Sequence, residues 1–458
     1  MGSTKPPGGT RDFLPDEIRR REHVIGVVRD VYERYGFEPL ETPAFENIDT
    51  LLGKYGEEGN KLIFKILRRG EHEASGDADL ALRYDLTVPL ARVVAQYQNE
   101  LPRVFKRYQI QPVWRADRPA KGRFREFYQC DIDTIGTSSV LVEVEQIAAV
   151  SEILTTLGFA DFEIRLNHRD VLHGALLSFG VPQALHEQAL VAIDKQDKIG
   201  KAGVCQELVS RGVSSATAER LVDALEGRRP GGHSELASLN HEVLGLTRER
   251  LTGQEAGTYG IEALSEIVRL CGGTSAEQRV RVDTSLVRGL SYYTGAIMEI
   301  AVPDLAGSLG GGGRYDNLIG MFLGRDVPAC GFSLGLERII FVMTERQMFP
   351  TGVARGAVDV MVTIWNHATR EQSLALASAL RGTGLRVDVY PEADKLGKQF
   401  KFASSRQVPF VAILGDDERE RGEVSIKDLR SGQQQAVSRS EAAAFIKTRL
   451  TDRPIPNP

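Results

Sequence analysis

The sequence predicts an α+β core, interrupted by a mostly helical insertion and followed by a separate α/β domain. Three observations predict it. Residues 112–133 read as two strands joined by a cationic loop. From about 170 to 265, helical patterns alternate with polar turns. Beyond a linker at 345–357, broken by Pro350, Gly352 and Gly356, short apolar strands alternate with helical segments. The chain has 458 residues, which suggests about three domains.

The elements follow in order. Ile18, Val24, Val28, Val31 and Tyr35 recur near helical spacing over 16–35, with Asp16 as the expected cap. Residues 38–45 read as an edge strand, because Pro39 and Pro43 cannot donate to a ladder. Residues 80–84 read as a strand that enters a helix near Thr87, with Asp85 and Thr87 at the junction. Those two could cap the helix or face a pocket. Arg115 ends the next strand. A loop carrying Arg118, Lys121, Arg123 and Arg125 follows, and Gln129, Asp131 and Asp133 then alternate on one face of the returning strand. Planar guanidiniums match phosphate oxygens bidentately, whereas strand carboxylates suit an amine-bearing molecule. The alternative is an exposed, ion-paired hairpin.

Residues 143–157 fit an amphipathic helix. In the insertion the clear break is at 227–232, and no phosphate loop or catalytic cluster stands out. Strand texture returns over 279–302, where adjacent Tyr292 and Tyr293 would face opposite ways on a strand. Gly310 to Gly313 would permit a turn that approaches a ligand closely. Residues 329–341 read as a strand breaking into a helix near Gly335, with Arg338 in its first turn, either beside a nucleotide or in a solvated pair with Glu337. In the last domain, strands at 359–364, 387–390 and 410–414 alternate with helices at 369–382, 394–406 and 438–450, which argues a largely parallel sheet. The helix at 394–406 carries Lys395, Lys398, Lys401 and Arg406, either solvated or set against nucleic acid.

Composition narrows the function. With 42% hydrophobic and 26% charged residues, the chain reads as an ordinary soluble protein. Its net charge of -5 advertises no global field for nucleic acid, so RNA contact would come from local patches. The four cysteines lie far apart and form no Cys-x-x-Cys pair, which argues against a zinc site or a disulfide framework. No stretch has the apolar length of a membrane helix, and the amino end has no signal or transit pattern. A cytoplasmic location is expected.

Taken together the segments resemble histidyl-tRNA synthetase, a class II aminoacyl-tRNA synthetase family. Gly9-Thr-Arg11-Asp12 looks like the family's amino-terminal signature, residues 37–43 like motif 1, residues 105–133 like motif 2 and residues 331–338 like motif 3. Leu286-Val-Arg288-Gly-Leu-Ser-Tyr292-Tyr293-Thr-Gly and Gly311-Gly-Gly-Arg314-Tyr315-Asp316 look like its two histidine-selective signatures. The resemblance implies a class II core, an antiparallel sheet with flanking helices, at 1–168 and 268–346. The helical insertion would occupy 169–267 and an anticodon-binding domain 347–458.

It also implies a histidine–tRNA ligase that uses ATP with Mg²⁺, tRNA-His as partner, and a homodimer. Arg115 and Arg288 would be catalytic, on either side of the α-phosphate. Arg123 and Arg338 would contact the γ-phosphate and adenine. Asp85, Thr87 and Gln129 match contacts to the α-amino and carboxylate groups of histidine. Asp133 and Tyr293 match contacts to its imidazole, with Tyr292 and Tyr315 close by. No resident metal site is implied. Two positions depart from many relatives: Ser291 stands where they have Asp, and Ala120 where many bacterial ones have Gln. The rival reading is an inactive, synthetase-like regulatory subunit of ATP phosphoribosyltransferase. Such subunits usually lack the last domain and lose catalytic residues.

Overall fold

The computed structural model describes residues 4–68, 76–120, 122–225, 236–287, 292–303, 305, 307–350, 352–353 and 358–451. Lys121, the expected break at 227–232, and Arg288 through Ser291 lie outside the described residues. The chain divides into two compact units, residues 1–348 and 349–458.

Strands of the first unit are β1 (Glu38–Pro39), β2 (Phe45–Asn47), β3 (Lys65–Leu67), β4 (Ala78–Leu82), β5 (Phe105–Trp114), β6 (Glu126–Ile135), β7 (Glu163–His168), β8 (Val280–Val282), β9 (Ala296–Ala301), β10 (Gly310–Arg314) and β11 (Ala329–Gly335). Eight of them make one sheet in the order β1-β5-β6-β11-β10-β9-β7-β8, and β2-β4-β3 make a small second sheet. The large sheet is antiparallel through its middle. Its outermost pairs, β1 with β5 and β7 with β8, are parallel, so the sheet is mixed. β1 is short, carries Pro39 and is exposed at the sheet edge, as a strand lacking a donor must be.

The first helix, α1 (Pro15–Arg34), buries Val24, Val28, Val31 and Tyr32 on one stripe. Asp16 does not cap it. Pro15 opens the helix, and Asp16 and Glu17 lie in its first turn, where negative charge suits the helix dipole. The strand expected at 80–84 ends at Leu82. Buried Arg83 bonds to the Thr42, Pro43 and Pro112 carbonyls, while Asp85 leads into α2 (Thr87–Gln96). The amphipathic reading of 143–157 is corrected. In α3 (Leu141–Thr156) even Glu143 and Gln146 are buried. Glu143 takes a bidentate pair from Arg314 at 2.7 and 2.8 Å, and Gln146 donates to the Cys330 carbonyl at 2.7 Å. These two buried polar residues are therefore partners of the sheet, not part of a solvent face.

Between β7 and β8, helices occupy most of residues 169–271, from Arg169–Ser178 to Glu255–Cys271. The glycine run is a strand, not a turn. A side chain at Gly310 or Gly312 would overlap the Ser333 or Gly331 carbonyl of β11, so glycine lets β10 lie closely on its neighbour. α4 (Leu336–Glu345) starts directly after β11.

In the second unit, β12 (Val360–Val362), β13 (Val387–Val389), β14 (Phe410–Ile413), β15 (Glu423–Asp428) and β16 (Gln434–Ser438) form a sheet in the order β13-β12-β14-β15-β16. The first three are parallel and the last two antiparallel, so the sheet is mixed and not largely parallel. Two clusters pack its opposite faces, one around Val360, Val362 and Phe410 and the other around Met361, Val411 and Ile413. Strands buried on both faces explain the continuous apolar runs. Of the cationic helix Leu396–Ser405 and its flanks, Lys398 pairs with Asp394 at 2.7 Å and Arg406 pairs with Asp388.

Candidate active site

Strand alternation places the site. On β6, Gln129, Asp131 and Asp133 point to one side and are all buried. Opposite them on β5 stand Gln111, Gln109 and Arg107; on the other flank, β11 presents Gly335, Ser333 and Gly331. Directly paired residues of antiparallel strands share a face. Of these, Gln129, Asp131, Asp133, Gly331, Ser333 and Gly335 line a cleft of about 1450 Å³. Asp85, Thr87, Arg115, Arg123, Gln129, Asp133, Tyr292, Tyr293, Tyr315 and Arg338 all line it. The structure thus brings together every expected site residue that it describes. Arg288 lies outside the described residues.

The cationic rim is held by backbone and aromatic groups. Arg115 Nε donates to the Tyr84 carbonyl at 3.0 Å, and its guanidinium lies 4.3 Å from the Tyr84 ring centroid and 5.2 Å from that of Phe127. Among the described residues no side-chain or backbone acceptor is hydrogen-bonded to its other N–H groups, which can serve a ligand. Arg123 is half exposed, with Asp117 at 4.0 Å. Arg338 does not form a solvated pair with Glu337. It donates to the Ser308 carbonyl, whereas buried Glu337 pairs with Arg21 at 2.8 Å and accepts from Tyr128 N. The amino end braces the cationic loop: Arg125 N donates to the Gly9 carbonyl at 2.7 Å, and Arg11 stacks on Phe124.

The acidic floor holds three buried acceptor atoms without a protein partner: Asp85 Oδ2, Gln129 Oε1 and Asp131 Oδ1. Asp85 Oδ1 accepts from Tyr55 O–H and from Val88 N, each at 3.0 Å, so one oxygen caps α2 while the other is spare. Gln129 Nε2 donates to Ser333 Oγ at 2.8 Å, which fixes the amide with its oxygen unpaired. Orphaned buried acceptors are costly unless a ligand supplies donors. Asp133 differs. Its Oδ1 accepts from Tyr315 O–H, and its Oδ2 lies 2.7 Å from Arg107 Nη2, a contact with ion-pair distance but poor hydrogen-bond alignment. A Cβ at Gly331 would overlap Asp133 Oδ1.

Burial raises all three carboxyls above the usual carboxylate range. Asp131 is pushed up to about 7, with Arg107 opposing the rise and Asp133 adding to it. Burial also raises Asp85, against the Val88 amide and Arg115, and raises Asp133 against Arg107.

Tyr292 and Tyr293 are not on a strand. They lie in the loop before β9, which relaxes the alternation rule, and both line the cleft. Their ring centroids are 5.0 Å apart, and Tyr292 sits 5.9 Å from Tyr315. Tyr292 is hydrogen-bonded to Thr87. Sequence reasoning left Tyr55, Arg107, Asp131 and Ser333 out of the site. Asp131 was visible in the strand alternation, and Arg107 and Gln109 form the same pattern on β5. Tyr55 and Ser333 carry no local signal, because their roles arise from partners 30 and 204 residues away.

The arrangement can hold polyanionic and amine-bearing groups side by side. Among the described residues, no cluster of three or more His, Cys, Asp or Glu side chains could hold a metal ion, and no helix is long and apolar enough to cross a membrane.

Comparison with known proteins agrees with this chemistry. The family model described as histidyl-tRNA synthetase matches residues 9–339, and that of an anticodon binding domain matches 359–449. The chain is 41% identical to a histidine–tRNA ligase of Porphyromonas gingivalis, over 96% of this chain and 98% of that one. It is 38% identical to one of Phocaeicola vulgatus, over 96% and 98%. The crystal structure of histidyl-tRNA synthetase from Nostoc sp. PCC 7120 superposes with a TM-score of 0.82 at 31% identity, covering 98% of this chain and 100% of that one. The chain belongs to the histidyl-tRNA synthetase family.

Proposed function

We propose that this protein is a histidine–tRNA ligase, which activates histidine with ATP and transfers it to the 3′ end of tRNA-His. The observation that carries the reading is the cleft itself, with orphaned acceptors on its floor beside arginines on its rim. The histidine carboxylate attacks the α-phosphate of ATP, a P–O bond to the departing pyrophosphate breaks, and histidyl-adenylate forms. A terminal tRNA hydroxyl then attacks the acyl carbon and AMP leaves. Catalysis is positioning plus stabilisation of phosphoryl charge. Arg115 holds the α-phosphate and carboxylate, and Arg288 faces it across the phosphate, a role that rests on the resemblance. Arg123 and Arg338 serve the γ-phosphate and adenine.

Asp85, Thr87 and Gln129 take the α-amino end of histidine, as the spare oxygens of Asp85 and Gln129 favour. Asp133 and Tyr293 read the imidazole, with Tyr292 and Tyr315 packed beside it. Mg²⁺ would be held by the oxygens of the ATP phosphates and by water, since hard cations prefer such ligands. The protein would pair as a homodimer through residues 37–43, whose short strand leaves a sheet edge exposed. Residues 347–458 would bind the anticodon, the rest of the chain supplying the core and its helical insertion, and the enzyme would work in the cytoplasm, where its substrates are.

Histidine-dependent ATP–pyrophosphate exchange tests the reading, with Arg288→Ala as the variant and threonine and proline as controls. Exchange with histidine alone, lost in the variant, is the expected result. Folded protein that binds histidine but gives no exchange with any amino acid would overturn it in favour of the regulatory subunit.

A further inference from the structure

We infer that Asp131 is a specificity-determining residue of the histidine pocket, accepting a hydrogen bond from an imidazole N–H through its unpartnered Oδ1. The inference rests on the ligase reading and adds a residue to it.

Three observations converge. Asp131 is 2% exposed, lines the cleft, and leaves Oδ1 without a partner. A carboxylate oxygen kept in that state destabilises the free protein unless a ligand's donor meets it. The neighbours that could have satisfied it are turned elsewhere. Gln109, directly opposite on β5, donates to Thr42 Oγ1 at 2.9 Å and to Gln111 Oε1 at 2.7 Å. Ser333, opposite on β11, accepts from Gln129 at 2.8 Å and lies beside the Asp131 carboxyl, whose charge it favours. Arg107 is drawn to Asp133.

Position along β6 selects the imidazole as donor. Arg115, where the reacting carboxylate must lie, follows the end of β5 and pairs with the start of β6, its N–H donating to the Arg125 carbonyl. Moving inward from there, the strand presents Gln129, then Asp131, then Asp133. A strand advances about 7 Å over two residues. With the ammonium at Gln129 and Asp85, the side chain of histidine points down the strand, and one such step is the reach of its ring with a hydrogen bond at the tip. Asp131 is met first. Asp133 is deeper and already engaged by Tyr315 and Arg107, so one ring nitrogen falls to Asp131 and the far one to the Asp133–Tyr315 end. A site built to pair a substrate N–H rejects analogues that leave its acceptor empty.

The test is a cycle between enzyme and ligand. Wild type and Asp131→Ala are assayed for histidine-dependent ATP–pyrophosphate exchange, with 1-methylhistidine and 3-methylhistidine as competitors. The expected result is a KM for histidine raised about tenfold to a hundredfold in Asp131→Ala, the range for loss of a hydrogen bond to a charged group, with the KM for ATP little changed. In addition, one of the two methyl isomers, excluded by wild type, competes relatively better against the variant, and Asp131→Asn, which keeps an acceptor, lies between the two. Histidine-free thermal stability should be unchanged or higher in Asp131→Ala. A KM within twofold of wild type, or an equal penalty for both isomers in both enzymes, overturns the inference while leaving the ligase reading intact. A drop in stability without any change in isomer preference makes Asp131 a structural residue and overturns it too. Wild type without histidine-dependent exchange refutes the ligase reading first, and this inference with it.

Discussion

At the scale of single residues, the site is a set of buried charges whose balance changes with pH. The folded carboxyl of Asp131 titrates near 7, against 3.8 for an ordinary aspartate. In that window the folded protein keeps a proton that the unfolded chain has lost, so this group's contribution to stability falls as pH rises from the lower value to the upper. The groups facing Asp131 are Arg107 and Gln109 on β5, Asp133 and Gln129 on its own strand, Ser333 on β11, and Asp85 before α2. Gln109, Gln129 and Ser333 carry no titratable group. Asp131→Asn should therefore flatten the decline in melting temperature across the window relative to wild type. An identical slope in both proteins would contradict the assignment of that proton to Asp131. Arg107 makes a second prediction. It is fully buried and pairs with buried Asp133. Arg107→Met leaves that carboxylate uncompensated, which should cost about 3–5 kcal/mol in a denaturant titration. The double variant Arg107→Met, Asp133→Asn should recover much of the loss, because the buried charge is gone.

At the scale of elements, close strand packing does what side chains do elsewhere. β6, β11 and β10 approach through glycines, and at Gly331 the missing Cβ is where Asp133 Oδ1 sits. Gly331→Ala should push the Asp133 carboxylate out of place. The expected cost is about 1–3 kcal/mol of stability, as for overpacked sites, together with a raised KM for histidine and a smaller change in the KM for ATP. A change in stability with the histidine KM untouched would show that the carboxylate can move without consequence. This packing also marks how far the sequence could be read. Gln129, Asp131 and Asp133 announced a pocket wall, because alternation on a strand is local information. Gly310 to Gly313 looked like a turn, because nothing within the run says that carbonyls of β11 lie against it. The hairpin β15–β16 escaped for a different reason. Val424 and Ile426 are buried, but Gln433, Gln434 and Gln435 carry no apolar alternation, and β16 is a largely exposed edge strand with little apolar signal. Orphaned acceptors are invisible in a sequence. They are defined by the absence of partners in space.

At the scale of the whole molecule, the two compact units divide the work by chemistry. All expected residues of activation lie in residues 1–348, and the described residues that line the cleft belong to that unit. Residues 349–458 have their own five-stranded sheet with apolar clusters on both faces, including Val360, Phe410 and Ile446 on one side and Met361 and Val411 on the other. A unit with its own core can fold by itself. If the second unit serves the anticodon, its removal should separate the two half-reactions. A chain ending at Met348 should keep histidine-dependent ATP–pyrophosphate exchange within about tenfold, since no side chain of the cleft is lost. Charging of tRNA-His at low tRNA concentration should fall about a hundredfold or more, the loss of about 3 kcal/mol of binding, and should recover partly as tRNA is raised. The recovery distinguishes lost binding from damaged chemistry. Loss of both reactions together, from protein that remains folded, would mean that the second unit supports the cleft itself, and the division of labour would have to be abandoned.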